Sequence, residues 1–192
     1  MLNRFLRRTL LLGGLTAAAL ATGCATPANS VNMVVRAGDA TTARSATPEA
    51  LKANIAIRDV TGGKETNPMW VSNVGSSDFE RALEDSLRAV GMLAANRQSG
   101  RYLLVAHLEK LEQPFMGFDM TVTAAVAYTL IERSTGKTVW QKSIATPYTA
   151  KVGDAFVGTE RLRLANEGSV RQNITQLIGE LQQAKVAELT LR

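Results

Sequence analysis

The sequence predicts an α+β two-layer domain: a mostly antiparallel four-stranded sheet with two helices on one face, in the order βαβββα. Three observations predict it. Apolar residues alternate with small or polar ones along four stretches, the period-two mark of a strand. Two other stretches repeat their apolar residues at helical spacing. One of those helices falls between the first and second strands, and the other closes the chain.

The first strand is expected over residues 54–60, where Ile55 and Ile57 alternate with smaller or polar neighbours, and Gly62-Gly63 ends it. A loop holding Met69 and Trp70 leads to Ser77 and Glu80, which stand at the spacing of a reciprocal helix-capping pair. Phe79, Leu83, Leu87 and Val90 then form one helical stripe, with Gly91 as the stop. Tyr102, Leu104, Ala106 and Leu108 alternate along a second strand, residues 102–111. Met120, Val122, Ala124, Val126, Tyr128 and Leu130 share one face of a third, residues 120–131, whose other face carries Thr121, Thr123 and Thr129. Ser134-Thr135-Gly136-Lys137 reads as a turn into a fourth strand, residues 138–145, followed by a loop with Pro147, Gly153 and Gly158. The last helix, residues 160–185, has Leu162, Val170, Ile174, Leu177, Ile178 and Leu181 on its apolar stripe, with Gly168-Ser169 as a point for a break or kink. The single domain is thus placed at 51–186, with 187–192 as a C-terminal tail.

Ahead of it, residues 24–50 are rich in Ala, Thr, Ser and Asn and read as a flexible tether, although residues 31–35 have the composition of an added edge strand. As a coil, that length spans about 28 Å root mean square, which would hold the domain close to whatever carries its start.

Residues 1–23 have a different character. Arg4, Arg7 and Arg8 precede an uncharged run at 9–21, shorter than the ~20 apolar residues that span a bilayer. The run ends in Leu20-Ala21-Thr22-Gly23-Cys24, and Cys24 is the only cysteine of the 192 residues, so no disulfide forms within one chain. A positive start, an apolar stretch and a small residue before the cysteine define a signal peptide over 1–23. The segment resembles the lipobox of bacterial lipoproteins, with Ala21 where that family more often has Leu. The resemblance implies cleavage before Cys24, a diacylglyceryl thioether on its sulfur and a further acyl chain on the new amino terminus. Ala25, rather than Asp, after the cysteine implies sorting to the outer membrane, on its periplasmic face. Arg7-Arg8 also resembles a twin-arginine signal, which leaves two export routes open.

The chain carries 22 Lys and Arg against 17 Asp and Glu. Removing Arg4, Arg7 and Arg8 with the leader leaves 19 against 17, a charge of only +2, and the remaining cations form no stripe. Nucleic acid is therefore not an expected partner.

Motifs of catalysis are equally sparse. Gly136-Lys137-Thr138 resembles the end of a phosphate loop, but Ile131 stands where the first glycine belongs and strands flank it on both sides, so a hairpin turn is expected. His107 is the only histidine and belongs to the strand face away from Tyr102 and Leu104, without a cluster of metal-ligand spacing. Glu109, Glu112 and Asp119 read as solvated carboxylates. No catalytic residue, metal or cofactor is expected. The residues that stand out are apolar and in loops: Trp70, Phe115, Met116 and Phe118 are the candidate partner contacts, or else the cover of an open core end.

The order of elements over residues 53–185 is similar in topology to penicillin-binding-protein activators, the lipopolysaccharide-assembly lipoprotein and the curli-export lipoprotein with its relatives. The hairpin at residues 131–140 resembles those common in that group. The resemblance implies a lipid-anchored accessory protein of the envelope, non-catalytic, acting through protein or envelope-polymer contacts. Two other classes stay open: a subunit of an oligomeric export complex, and a lipid-anchored enzyme.

Overall fold

The computed structural model describes residues 25–67 and 71–184. Four strands, β1 (Ile55–Thr61), β2 (Tyr102–Glu112), β3 (Met120–Glu132) and β4 (Thr138–Ala150), form one sheet in the order β1-β2-β3-β4. The described α-helices are α1 (Ser30–Met33), α2 (Ala37–Ser45), α3 (Ser76–Ala89) and α4 (Gly158–Gln183). The fold class is α+β, as the sequence predicts, but the sheet is mixed. β2–β3 and β3–β4 are antiparallel, while β1 pairs with β2 in parallel. The reason is the connection: α3 carries the chain back along the sheet between β1 and β2, which delivers β2 in the same direction as β1.

The helices cover one face. Ile55, Ile57, Tyr102, Leu104, Ala106, Val126, Tyr128 and Leu130 meet Phe79, Leu83 and Leu87 of α3 and Val170, Ile174 and Leu177 of α4 in one buried cluster. Strict alternation does not run to the strand ends. Register shifts between Ile57 and Asp59 and between Leu108 and Lys110 insert one extra residue each, so Val60 and Leu111 turn toward the core in place of Asp59 and Lys110.

Several boundaries move. The capping pair does not form: α3 starts at Ser76 after Gly75, and Ser76 Oγ instead accepts the Gly63 amide at 3.0 Å. Gly91 does end the helix, one residue past Val90, with φ +75°. Gly136, φ +68°, turns the β3–β4 hairpin, in which Gly136 N donates to Glu132 O at 2.8 Å. β4 runs on to Ala150 and absorbs Pro147, which pairs with Thr123; as the outermost strand it tolerates a residue without an amide hydrogen. α4 passes through Gly168-Ser169 without interruption.

The largest correction concerns residues 25–50. They are not a flexible tether and contain no edge strand. α1 occupies Ser30–Met33, α2 follows, and Glu49–Leu51 form a 3₁₀ turn. Met33, Val35, Ala40 and Leu51 are buried in the main core cluster. The segment lacks a helical stripe because it is held by single contacts. Glu167 of α4, buried, accepts the Asn29 amide at 2.8 Å and the Asn32 side-chain amide at 3.0 Å. Val35 N donates to Ser86 Oγ of α3 at 3.1 Å. Short range patterning contains no trace of such partners, which lie 51–138 residues away.

Candidate functional site

Two loops meet at one end of the sheet, where β2 finishes, β3 starts and β4 finishes. Met120 pairs with Ala150 and Glu112 with Thr123, so loops 113–119 and 151–157 leave side by side. Each is fixed by named bonds. The Gln113 side-chain amide donates to Ser72 O at 2.8 Å and to Asn166 Oδ1 at 2.9 Å. Asp119 Oδ1 accepts from Val152 N at 3.0 Å, which ties the two loops together. Asp154 Oδ2 accepts from Lys151 N at 2.7 Å. Arg161, in the first turn of α4 and buried, donates through Nη1 to Ala155 O at 2.6 Å and to Phe156 O at 2.8 Å.

These loops, pinned at Gln113, Asp119 and Asp154, hold apolar side chains out into solvent. Phe115 is 96% exposed, Met116 74%, Phe118 87%, Phe156 92% and Val157 52%. Such exposure decides the alternative left by the sequence: Phe115, Met116 and Phe118 are not the cover of a core. Phe156 and Val157 belong to the same tip and were missed by sequence reasoning, although an apolar triplet, Ala155-Phe156-Val157, between Gly153 and Gly158 was legible as a signal. Trp70 and Cys24 lie outside the described residues. Asn67 and Val71 form a β-bridge, and the Ser72 carbonyl beyond it accepts from Gln113.

The start of the described chain is on the same side of the molecule. Ala28 N donates to Asn73 O at 3.2 Å, next to the Ser72 carbonyl that holds Gln113 and Asn166. From there the segment follows α4 toward its C-terminus: Asn29 and Asn32 meet Glu167, Asn32 O accepts from Arg171, and Ala43 O accepts from Gln182. Its beginning, at Ala28 and Asn29, stands beside Asn73 and the N-terminal half of α4. Arg163 braces this region by pairing with both Glu160 and Glu167. The hydrogen bonds from Arg163 hold the Glu160 carboxyl below its ordinary range, and the same pairing raises Arg163.

Among the described residues no helix covers the other face of the sheet. Thr121, Ser143, Ala145 and Thr149 are exposed there, with Thr123, Ala125 and Ala127 half-buried. His107 lies on this face, exposed, with its Nδ1 2.8 Å from Thr61 Oγ1. Glu109 accepts from Ser143 Oγ at 2.7 Å and Glu112 pairs with Lys110. Among the described residues no group of three His, Cys, Asp or Glu is placed to hold a metal ion, and no helix is long and apolar enough to cross a membrane.

No protein-family model matches the chain, and no curated protein matches it in sequence. The chain is similar to several solved structures. Protein XCC0632 from Xanthomonas campestris, of the DUF330 family, superposes with a TM-score of 0.56 at 13% identity, over 75% of this chain and 94% of that one. A candidate lipoprotein from Caulobacter crescentus gives 0.49 at 11%, over 79% and 97%. The PelC dodecamer from Paraburkholderia phytofirmans gives 0.48 at 21%, over 71% and 93%. At these identities the likeness to XCC0632 shows a shared fold.

Proposed function

We propose that this chain is a non-catalytic accessory lipoprotein of the bacterial envelope, anchored through lipid on Cys24 at the periplasmic face of the outer membrane and acting through contacts with another envelope component. One observation carries the reading: the sole cysteine follows a small residue at the end of a charged and then apolar leader. Several interior polar groups are engaged in holding elements together, which supports a binding role over a catalytic one. Asn173 joins α4 to the sheet, Asn166 and Gln113 secure Ser72, and Glu132 pairs with Arg101.

Metabolic labelling with a palmitate analogue tests the anchor. The wild-type chain takes up label and is shortened, whereas Cys24→Ala stays at precursor size and unlabelled. Label retained by the variant overturns the reading. Crosslinking in intact envelopes then identifies the partner.

A second reading, a subunit of an oligomeric assembly, is favoured by the uncovered sheet face with its small side chains. Sedimentation of the detergent-solubilised lipoprotein decides it by mass.

A further inference from the structure

We infer that the tip formed by Phe115, Met116, Phe118, Phe156 and Val157 enters the interface of the membrane that carries the Cys24 lipid. The inference rests on the anchoring reading above, and three observations on this chain support it.

The first is the tip itself. Four large side chains and a valine stand in solvent on loops that hydrogen bonds hold in place. Large apolar side chains exposed on two adjacent loops mark a contact with a partner or a membrane. Apolar side chains such as Phe bury into the boundary between headgroups and acyl chains, and loops pinned by hydrogen bonds lose less conformational freedom on entering it.

The second is where the chain outside the described part begins. Cys24 is five residues from Asn29, so its Cα is no more than about 19 Å from that of Asn29. Asn29 is held by Glu167, nine residues into α4 and so about 13 Å along the helix from its tip end. β3, with 13 residues, separates the tip from the Gly136 turn by roughly 43 Å. The two distances together keep Cys24 within about 32 Å of the tip end, short of the far turn. With the tether folded onto α4, no long coil separates the domain from its lipid.

The third is electrostatic. The tip's acidic groups each accept a backbone amide: Asp119 from Val152 of the neighbouring loop, and Asp154 from Lys151 of its own. Among the described residues of the two tip loops Lys151 is the one cation, so apolar burial is the driving force. Binding by so few side chains is weak alone, but the anchor makes it intramolecular and raises its effective concentration. Lipid and tip together would fix the orientation of the domain, with the Gly136 turn pointing away from the membrane.

The test uses the full lipidated protein in phosphatidylcholine vesicles, with Trp70 and Trp140 replaced by Phe and a single reporter at Phe115→Trp, Phe156→Trp or Ser134→Trp. Ser134 lies in the turn at the far end. Lipids brominated near the headgroup should quench the reporters at 115 and 156, at the depth of about 5–10 Å where interfacial apolar side chains sit. The reporter at 134 should remain unquenched and open to aqueous iodide, and salt should change neither result. Equal quenching at all three positions, or none at 115 and 156, overturns the inference. Reporters at 115 and 156 shielded from both lipid and iodide would mean that protein, a partner or a second copy, covers the tip, which also overturns it. Mass spectrometry of Cys24 reads the anchor separately. Should Cys24 carry no lipid, quenching of the unlipidated chain at 115 and 156 would sustain the tip, and its absence would overturn both readings.

Discussion

Asn173 of α4 stands beneath Tyr128 of β3, and the phenolic hydroxyl donates to Asn173 Oδ1 at 2.8 Å in a fully buried site. The same side chain donates through Nδ2 to Ala124 O at 3.0 Å and Ile144 O at 2.8 Å. One amide thereby joins the long helix to two neighbouring strands with its hydrogen-bonding groups on both ends in use.

Replacing Asn173 with Leu leaves the Tyr128 hydroxyl without its acceptor in the core. Each buried polar group so stranded costs about 1–3 kcal/mol. Asn173→Leu should lower the urea midpoint clearly, and Tyr128→Phe made together with it should recover part of the loss. Independent, additive losses in the double variant would refute the coupling.

Burial raises the Tyr128 hydroxyl well above its ordinary value of 10.0. Below that pH both folded and unfolded chains hold the proton, and the stabilisation is fully present. As the pH rises past it, the unfolded chain releases a proton that the folded chain retains, so stability declines until the folded value is reached. Thermal melts between about pH 9 and 11 should show this fall, and it should be shallower in Tyr128→Phe.

Two glycines of α4 should respond to alanine in opposite directions. Alanine gains up to about 1 kcal/mol of helix propensity over glycine. At Gly179 a Cβ meets nothing within 4 Å, so Gly179→Ala should raise the melting midpoint. At Gly168 it would stand 2.2 Å from Tyr148 Cδ1 and 2.4 Å from Cε1. The ring must move away, and with it the stacking of Arg171, whose guanidinium is 5.7 Å from the ring centre. Gly168→Ala should therefore destabilise by about 1–3 kcal/mol, net of the propensity gain. A rise in midpoint for Gly168→Ala would show that the ring relocates freely.

Residues 25–50 should behave as part of the domain. Met33 is fully buried, and Met33→Ala should cost about 2–5 kcal/mol, as for other buried side chains of its size. Glu167→Ala removes the acceptor of Asn29 and Asn32 and should speed amide exchange from Asn29 to Val35 before it affects the strands. Uniform exchange across the domain would count against a separately pinned segment.

Much of the domain was legible because its period was short. The stripes of α3 and the alternation of β2 and β3 place Phe79, Leu83, Tyr102 and Tyr128 in the core directly, since burial on one face imposes a repeat of 3.6 or 2. The exposed loop residues Phe115, Met116 and Phe118 were equally visible, as large apolar side chains in a segment with no repeat to bury them. Phe156 and Val157 were passed over because glycines on both sides make that loop read as mere connection.

By itself, then, the sequence determined the class of fold, the helix and strand faces, and Cys24 as the candidate site of attachment. Tertiary structure alone decided that β1 runs parallel to β2, that Val60 and Leu111 face inward past their bulges, and that residues 25–50 are docked. The physical reason is shared. Strand direction, a one-residue bulge and a docked segment held by Glu167 depend on partners far along the chain, and local periodicity carries information only about the face a residue presents, never about which distant group will meet it.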